Sequence, residues 1–166
     1  MNESKRSPAP NWRFLFEHPA HFLACGLGSG LSPVAPGTAG TLFAWLSYPW
    51  LRGRFSEAEL LLFLLVAFVV GIYACEKTGR DLGVPDHGAM VWDEIVPFWL
   101  VLLLCPDEPG WQLTAFLAFR GFDIVKPPPI RQLDRRLKNG FGVMLDDLLA
   151  AFYTLLLLAL LKALLD

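Results

Sequence analysis

The chain has 166 residues, the length of one domain, and combines 54% hydrophobic with only 18% charged residues. Soluble domains carry about 25% charged residues, so this composition is unusual for a soluble protein. The net charge of −2 gives no global basis for nucleic-acid binding. The three cysteines have neither paired spacing nor a histidine at zinc-ligand distance, which argues against a disulfide framework and a zinc site.

The N-terminal residues 1–17 are predicted to form a disordered tail, and residues 18–166 a single helical domain. The first eleven residues are mostly polar and contain two prolines. No apolar segment with a small-residue cleavage site follows them, so we expect no signal peptide.

Pro36 marks the start of a predicted helix, because proline is favoured at the first helical position. Gly37 and Thr38 would then lie in the exposed first turn. Free N–H groups in such a turn attract anions, which makes Thr38 a candidate phosphate-binding residue. A plain helix start is the alternative interpretation.

Five apolar runs follow and predict an all-α fold. They comprise residues 41–51, 60–75, 95–105, 111–119 and 148–165. None of them alternates with the period of two that is typical of strands. A straight crossing of a membrane needs about 20 residues, so several runs are short. We therefore expect a helical membrane bundle of about five to six helices with several short spans.

Lysine and arginine are concentrated in three segments of the chain. Eleven of the fourteen lie in the N-terminal segment and in residues 76–94 and 120–147. The positive-inside rule places these segments together in the cytoplasm. Residues 95–105 and 111–119 must then form a hairpin, and the last apolar run crosses outwards.

Carboxylates lie at the ends of the apolar runs. Asp93 with Glu94 and Asp146 with Asp147 form adjacent pairs, each directly before an apolar run. Capping of a helix N-terminus is one explanation for such a pair. Further acids beside apolar runs are Asp81, Asp86 and Asp123. So many carboxylates at one face would repel each other unless cations neutralise them, and oxygen donors without a Cys/His cluster favour Mg²⁺.

Basic side chains and a histidine accompany these acids. Arg120 and Lys126 flank Asp123 and are candidate phosphate ligands, with a local ion pair of Asp123 and Lys126 as the alternative. His87 follows Asp86 on a predicted loop, where proton transfer and a simple hydrogen-bonded role are both open. Four basic residues form either a solvated face or a site for anionic lipid head groups: Arg131, Arg135, Arg136 and Lys138.

Four motifs occur in a fixed order along the chain. They are P-G-T-A-G at residues 36–40, V-W-D-E at 91–94, F-R-G-F-D-I-V-K-P-P-P at 119–129 and G-V-M-L-D-D at 142–147. On these motifs the chain resembles the phosphatidylglycerophosphatase A family over residues 26–165. The resemblance implies a Mg²⁺-dependent, multi-pass enzyme of the bacterial inner membrane. Such an enzyme removes the terminal phosphate from phosphatidylglycerophosphate to give phosphatidylglycerol, and its fold is all-helical with a central helix surrounded by others.

The resemblance and the residue chemistry together define a candidate site that faces the cytoplasm. The predicted Mg²⁺ ligands are Asp93, Glu94, Asp123 and Asp147. The predicted phosphate-binding residues are Thr38, Arg120 and Lys126. The candidates for general acid or base are Asp86, His87 and Asp146. The expected partners are the lipid substrate and membrane lipids, with neither a nucleic acid nor an obligate protein partner. Pro97 departs from the family pattern, in which we expect a glycine, and is placed in the first helical turn.

Two other functions could use the same carboxylates. A small ion-binding transporter or channel would need acids within its spans, but residues 60–75 and 148–161 contain none. A non-catalytic membrane scaffold would use the acids only to cap helices, and chelation of metal ions would not affect it.

Overall fold

The computed structural model describes residues 10–165, and within them the fold is all-helical, as predicted. The described residues form eight α-helices and one 3-10 helix, so the prediction of five to six helices was too low. The α-helices are α1 (Trp12–Glu17), α2 (Pro19–Ala24), α3 (Pro36–Arg52), α4 (Glu57–Leu82), α5 (Trp92–Leu104), α6 (Pro109–Val125), α7 (Ile130–Arg136) and α8 (Gly140–Leu165), with the 3-10 helix at Gly26–Leu31. Three of them, α1, α2 and α7, have only six or seven residues, which is too short for a helical period to be recognised.

The ordered domain begins earlier than the sequence suggested. The predicted tail of residues 1–17 lies partly outside the described residues, but Trp12–Glu17 forms α1. Asn11 caps this helix by accepting a hydrogen bond from the Phe14 N–H at 3.1 Å. Leu15 is fully buried. The prediction of disorder was therefore wrong for α1, because a buried side chain and a cap stabilise it.

Helices α4 and α8 are the two that are long and apolar enough to cross a membrane among the described residues. Each has 26 residues, and the mean hydropathy of their most apolar windows is 2.5 and 2.3. A third or less of each window is buried inside the bundle, so most of these apolar side chains face outwards. Long helices in the cores of soluble proteins share this length and composition. They differ in being mostly buried.

Helix α5 is the central helix of the bundle. Ten of its thirteen residues are buried, and it packs against α2, α3, α4, α6 and α8. Trp92 donates its ring N–H to the Ala67 carbonyl of α4 at 3.1 Å, and Trp99 donates to the Ala44 carbonyl of α3 at 2.9 Å. Pro97 lies in the second turn of α5 rather than the first, because the helix already begins at Trp92.

Helix α8 begins six residues before Asp146, whereas the sequence placed that residue at a helix edge. Two hydrogen bonds define this start. Glu76 of α4 accepts from the Gly140 N–H at 2.6 Å, and the Asn139 side chain accepts from the Gly142 N–H at 2.9 Å. Asp146 and Asp147 consequently lie in the second turn, and α8 has no acidic residue in its first turn. Helix capping therefore does not explain this carboxylate pair.

Candidate functional site

Five parts of the chain converge at one end of the bundle. They are the first turn of α3, the loop before α5, the first turn of α5, the end of α6 and the second turn of α8. The charged residues they bring together are Asp86, Asp93, Glu94, Asp123, Asp146, Asp147, Arg120 and Lys126. We call these eight residues the charged centre. Six acidic side chains and two basic ones thus share a mostly buried place.

Arg120 organises one half of the charged centre. Its Nη1 donates to Glu94 Oε2 and lies 2.9 Å from Asp123 Oδ2. The buried hydroxyl of Thr41 lies 3.0 Å from the same Glu94 oxygen and 3.5 Å from Arg120 Nη1. A Cβ added at Gly37 would overlap Glu94 Oε1, so the first turn of α3 packs directly on this ion pair. Only glycine allows so close an approach.

Lys126 organises the other half. It ends α6 with a left-handed backbone (φ 46°), and its ammonium group contacts Asp146 Oδ2. Asp134 of α7 lies 3.6 Å from Lys126 Nζ and 3.0 Å from Lys138 Nζ. Desolvation lowers the pKa of Lys126, but the hydrogen bond and the charge of Asp146 outweigh this effect and raise the pKa. Lys126 therefore stays charged. The Tyr153 hydroxyl of α8 donates to the Pro128 carbonyl at 2.9 Å and so holds the proline-rich loop between α6 and α7.

Three buried side-chain atoms of the charged centre have no hydrogen-bond partner among the described residues. They are Asp93 Oδ1, Asp147 Oδ1 and Arg120 Nε. Asp93 and Asp147 are only 6% and 3% exposed, so water does not solvate them freely. Desolvation, followed by repulsion from Glu94, raises the pKa of Asp93. Buried polar atoms are normally paired, and the unpaired ones here comprise two acceptors and one donor.

The oxygen atoms that this centre offers as metal ligands fit a hard divalent cation. Carboxylate oxygens are the ligands such ions prefer, and Asp93 and Asp147 each offer an unpaired one. Glu94 and Asp123 are engaged by Arg120. Within residues 10–165, no three His, Cys, Asp or Glu side chains form a ready-made cluster of ligands. The four-residue Mg²⁺ site drawn from the sequence therefore stays a prediction.

The remaining candidates lie at the edge of the charged centre. Asp86 is an exposed residue as a whole, but neighbouring groups desolvate its carboxyl and raise the pKa of Asp86, which the charge of Lys126 partly opposes. His87 accepts a hydrogen bond from the Ala89 N–H at 3.1 Å, as the simpler interpretation of this residue suggested. Desolvation lowers the pKa of His87. Thr38 is partly buried in the first turn of α3, and it is Thr41, one turn later, whose hydroxyl contacts Glu94.

Sequence reasoning missed Thr41, Gly37 as a contact of Glu94, and Tyr153. Thr41 begins an apolar run and looks like part of it. Its position four residues after Gly37 is the one available signal, since both then face the same side of α3. Tyr153 lies within the long apolar α8, where nothing in the sequence indicates a contact with the proline-rich loop.

Fold and site together define a class of protein: an all-helical bundle with two helices long enough to span a membrane and a buried centre of carboxylates and cations at one end. Residues 22–162 match the family model described as Phosphatidylglycerophosphatase A. The chain belongs to this family, as its motifs suggested.

Three relatives were found among curated proteins. A phosphatidylglycerophosphatase A of Haemophilus influenzae is 46% identical over 140 residues, covering 84% of this chain and 86% of the relative. A phosphatidylglycerophosphatase A of Escherichia coli is 41% identical, covering 83% and 80%. A Bacteroides thetaiotaomicron protein with the provisional name phosphatidylinositol-3-phosphatase is 42% identical, covering 82% and 89%. No solved structure matches the chain.

Proposed function

We propose that this protein is a phosphatidylglycerophosphatase of phospholipid biosynthesis, which hydrolyses the terminal phosphate of phosphatidylglycerophosphate to give phosphatidylglycerol. Family membership and the names of two relatives support this activity. The observation that carries the proposal is the set of unpaired buried atoms. Asp93 and Asp147 offer acceptors, and Arg120 offers a donor, in the same centre. A phosphate accompanied by a divalent cation would satisfy both kinds of atom.

The two cations of the centre bind the phosphate in this proposal. Arg120 has a buried Nε–H without a partner, and guanidinium groups match phosphate oxygens well. Lys126 is held between Asp134 and Asp146, from which its ammonium group can reach an incoming phosphate as a point charge. Asp86, an exposed residue of the charged centre, is the proposed general acid or base, and Asp146 and His87 are the alternatives.

Mg²⁺ is the proposed cofactor. Asp93 and Asp147 would hold it through their unpaired oxygens, joined by Glu94 or Asp123 when Arg120 turns to the substrate. A bound divalent ion supplies polarisation of the phosphoryl oxygens and activation of water at neutral pH. It would also offset the repulsion among the carboxylates.

The proposed location is the bacterial inner membrane, with the charged centre at the cytoplasmic face. The length and outward-facing apolar surfaces of α4 and α8 support a membrane position. The concentration of Lys and Arg at the end of the bundle that carries the centre supports its orientation. A lipid phosphate in the cytoplasmic leaflet then lies at the depth of the site.

The decisive experiment is phosphate release by the purified protein from phosphatidylglycerophosphate in mixed micelles. We expect phosphate release with Mg²⁺ and no release with EDTA. Asp93→Asn should lower kcat by at least about a hundredfold, because the substitution removes a charge and one metal ligand. Glu108→Gln, which neutralises an exposed acid outside the charged centre, is the matched control and should remain active.

Other outcomes of this assay are equally informative. A fully active Asp93→Asn variant would remove Asp93 from the site, and activity in EDTA would exclude a divalent cofactor. Phosphatidylinositol 3-phosphate should be included as a substrate, because the name of one relative refers to that lipid. Cation binding without any phosphate release would favour the ion-binding transporter instead.

A further inference from the structure

A cavity of about 290 Å³ lies between α4, α5 and α8. Its walls include Leu64, Phe68, Val96, Pro97, Leu100 and Leu148. All of these side chains are apolar, so the cavity favours hydrocarbon over any polar group. Its volume is at the lower limit of ligand pockets, which span about 300–1,000 Å³.

The cavity opens towards the outer surface of the bundle. Leu65 lines it and is 61% exposed on the face of α4 that carries other exposed apolar side chains. In a membrane, that face of α4 contacts lipid. A lipid chain can therefore enter the cavity sideways, without crossing a polar barrier.

The cavity wall adjoins the charged centre along α5 and α8. Val96 and Pro97 follow Asp93 by three and four residues, so they lie on the same face of α5, about one helical turn or 5.4 Å further along the helix. Leu148 directly follows Asp147 on α8. The two carboxylates with unpaired oxygens thus each have a neighbour in the cavity wall. Pro97 also has no N–H to donate to the Asp93 carbonyl, which leaves an acceptor at the junction.

From this proximity we infer that the cavity binds one acyl chain of the lipid whose phosphate occupies the charged centre. The inference rests on the proposed function and deepens it. A glycerolipid has a phosphorylated head group and a hydrocarbon chain separated by a short polar backbone, and the charged centre and the cavity are separated by a similarly short step. The protein would then select a lipid phosphate over the same phosphate on a water-soluble alcohol, because burial of the chain adds to binding.

The test compares two tryptophan substitutions on α4. Leu65→Trp narrows the mouth of the cavity. Leu62→Trp is the matched control, because Leu62 is 62% exposed on the same helix and does not line the cavity. The substrates are phosphatidylglycerophosphates with palmitoyl or with butanoyl chains, presented in the same detergent. We expect Leu65→Trp to lower kcat/KM about tenfold for the palmitoyl lipid and to leave the butanoyl lipid unchanged. Leu62→Trp should change neither value.

A second measurement separates a specific site from bulk lipid. A lipid phosphate with a photoreactive group in its acyl chain should label α4 or α5 of the wild-type protein. Unlabelled phosphatidylglycerophosphate should compete with this labelling, and phosphatidylcholine should not. Equal competition by both lipids would mean bulk lipid only and would overturn the acyl site.

Two further outcomes keep the two proposals distinct. Hydrolysis of both substrates with no selective loss in Leu65→Trp overturns the acyl site and leaves the phosphatase function intact. Failure of the wild-type protein to hydrolyse either substrate refutes the phosphatase function, and with it the acyl site as part of that function.

Discussion

Glu94 shows how distant parts of the chain build the charged centre. It accepts from Arg120 on α6 and lies 3.0 Å from the Thr41 hydroxyl on α3. Arg120 in turn lies 2.9 Å from Asp123. Removing one member of such a buried pair leaves the other charge without compensation, which typically costs about 3–5 kcal/mol. The ion pairs therefore hold α3, α5 and α6 together while they position groups for binding.

Thr41→Val is expected to lower the free energy of unfolding by about 1–3 kcal/mol, because a buried carboxylate oxygen of Glu94 loses a hydrogen-bond donor. Thr114→Val is the matched control. Its hydroxyl lies 2.9 Å from the Gly110 carbonyl four residues earlier, as the Thr41 hydroxyl lies 3.0 Å from the Gly37 carbonyl, but it contacts no carboxylate. We expect a change within about 0.5 kcal/mol for the control. Denaturant unfolding in detergent micelles measures both, and equal effects would contradict a role for the contact with Glu94.

The sequence identified all eight residues of the charged centre but not the way they are paired. Buried carboxylates beside apolar runs are conspicuous in sequence because their burial is costly. The partners are not conspicuous: Thr41 and Glu94 are 53 residues apart, and only tertiary packing brings them together. Likewise, an unpaired oxygen on Asp93 or Asp147 is a property of the packed bundle and cannot be predicted from the sequence.

The residue at which α8 begins determines where Asp146 and Asp147 lie along the helix. Its apolar run predicted the body of the helix from residue 148, but the true start at Gly140 depends on contacts outside that run. A Cβ at Gly140 would overlap the Ile72 carbonyl of α4, so a residue without a side chain is required there. Boundaries of this kind follow from packing between helices, which hydrophobic periodicity does not report.

Asn139→Ala is expected to destabilise the protein by about 1 kcal/mol, because the Gly142 N–H loses the acceptor that caps α8. Asn139→Asp keeps an acceptor and places a negative charge at a helix N-terminus, so it should retain the stability of the wild-type protein. The free energy of unfolding in micelles and the rate of phosphate release are the two readouts. An Asp variant as unstable as the Ala variant would show that the cap does not set this helix start.

The whole bundle combines an outward-facing apolar surface with a polar centre at one end. An all-helical architecture was predictable, since long apolar runs without alternation leave few alternatives, and the family resemblance implied the central helix. The number of helices was not predictable from the sequence, because α1, α2 and α7 are short and depend on tertiary contacts rather than intrinsic propensity. With thirteen residues, α5 is about 20 Å long and shorter than the roughly 30 Å hydrocarbon core of a bilayer, so among the described residues α4 and α8 are the helices long enough to span it.

The orientation of the molecule can be tested with two single-cysteine additions, one in the turn before α6 and one on α7, which follows α6. Arg135 is exposed on α7, beside the charged centre, and Glu108 is exposed at the turn between α5 and α6. The native cysteines Cys25, Cys75 and Cys105 are buried, so background labelling should be low. With a membrane-impermeant maleimide on spheroplasts, the E108C variant should be labelled directly, and the R135C variant only after permeabilisation, because the positive-inside rule places the segment rich in Lys and Arg in the cytoplasm. The reverse pattern would place the charged centre on the outer face, away from a substrate in the cytoplasmic leaflet.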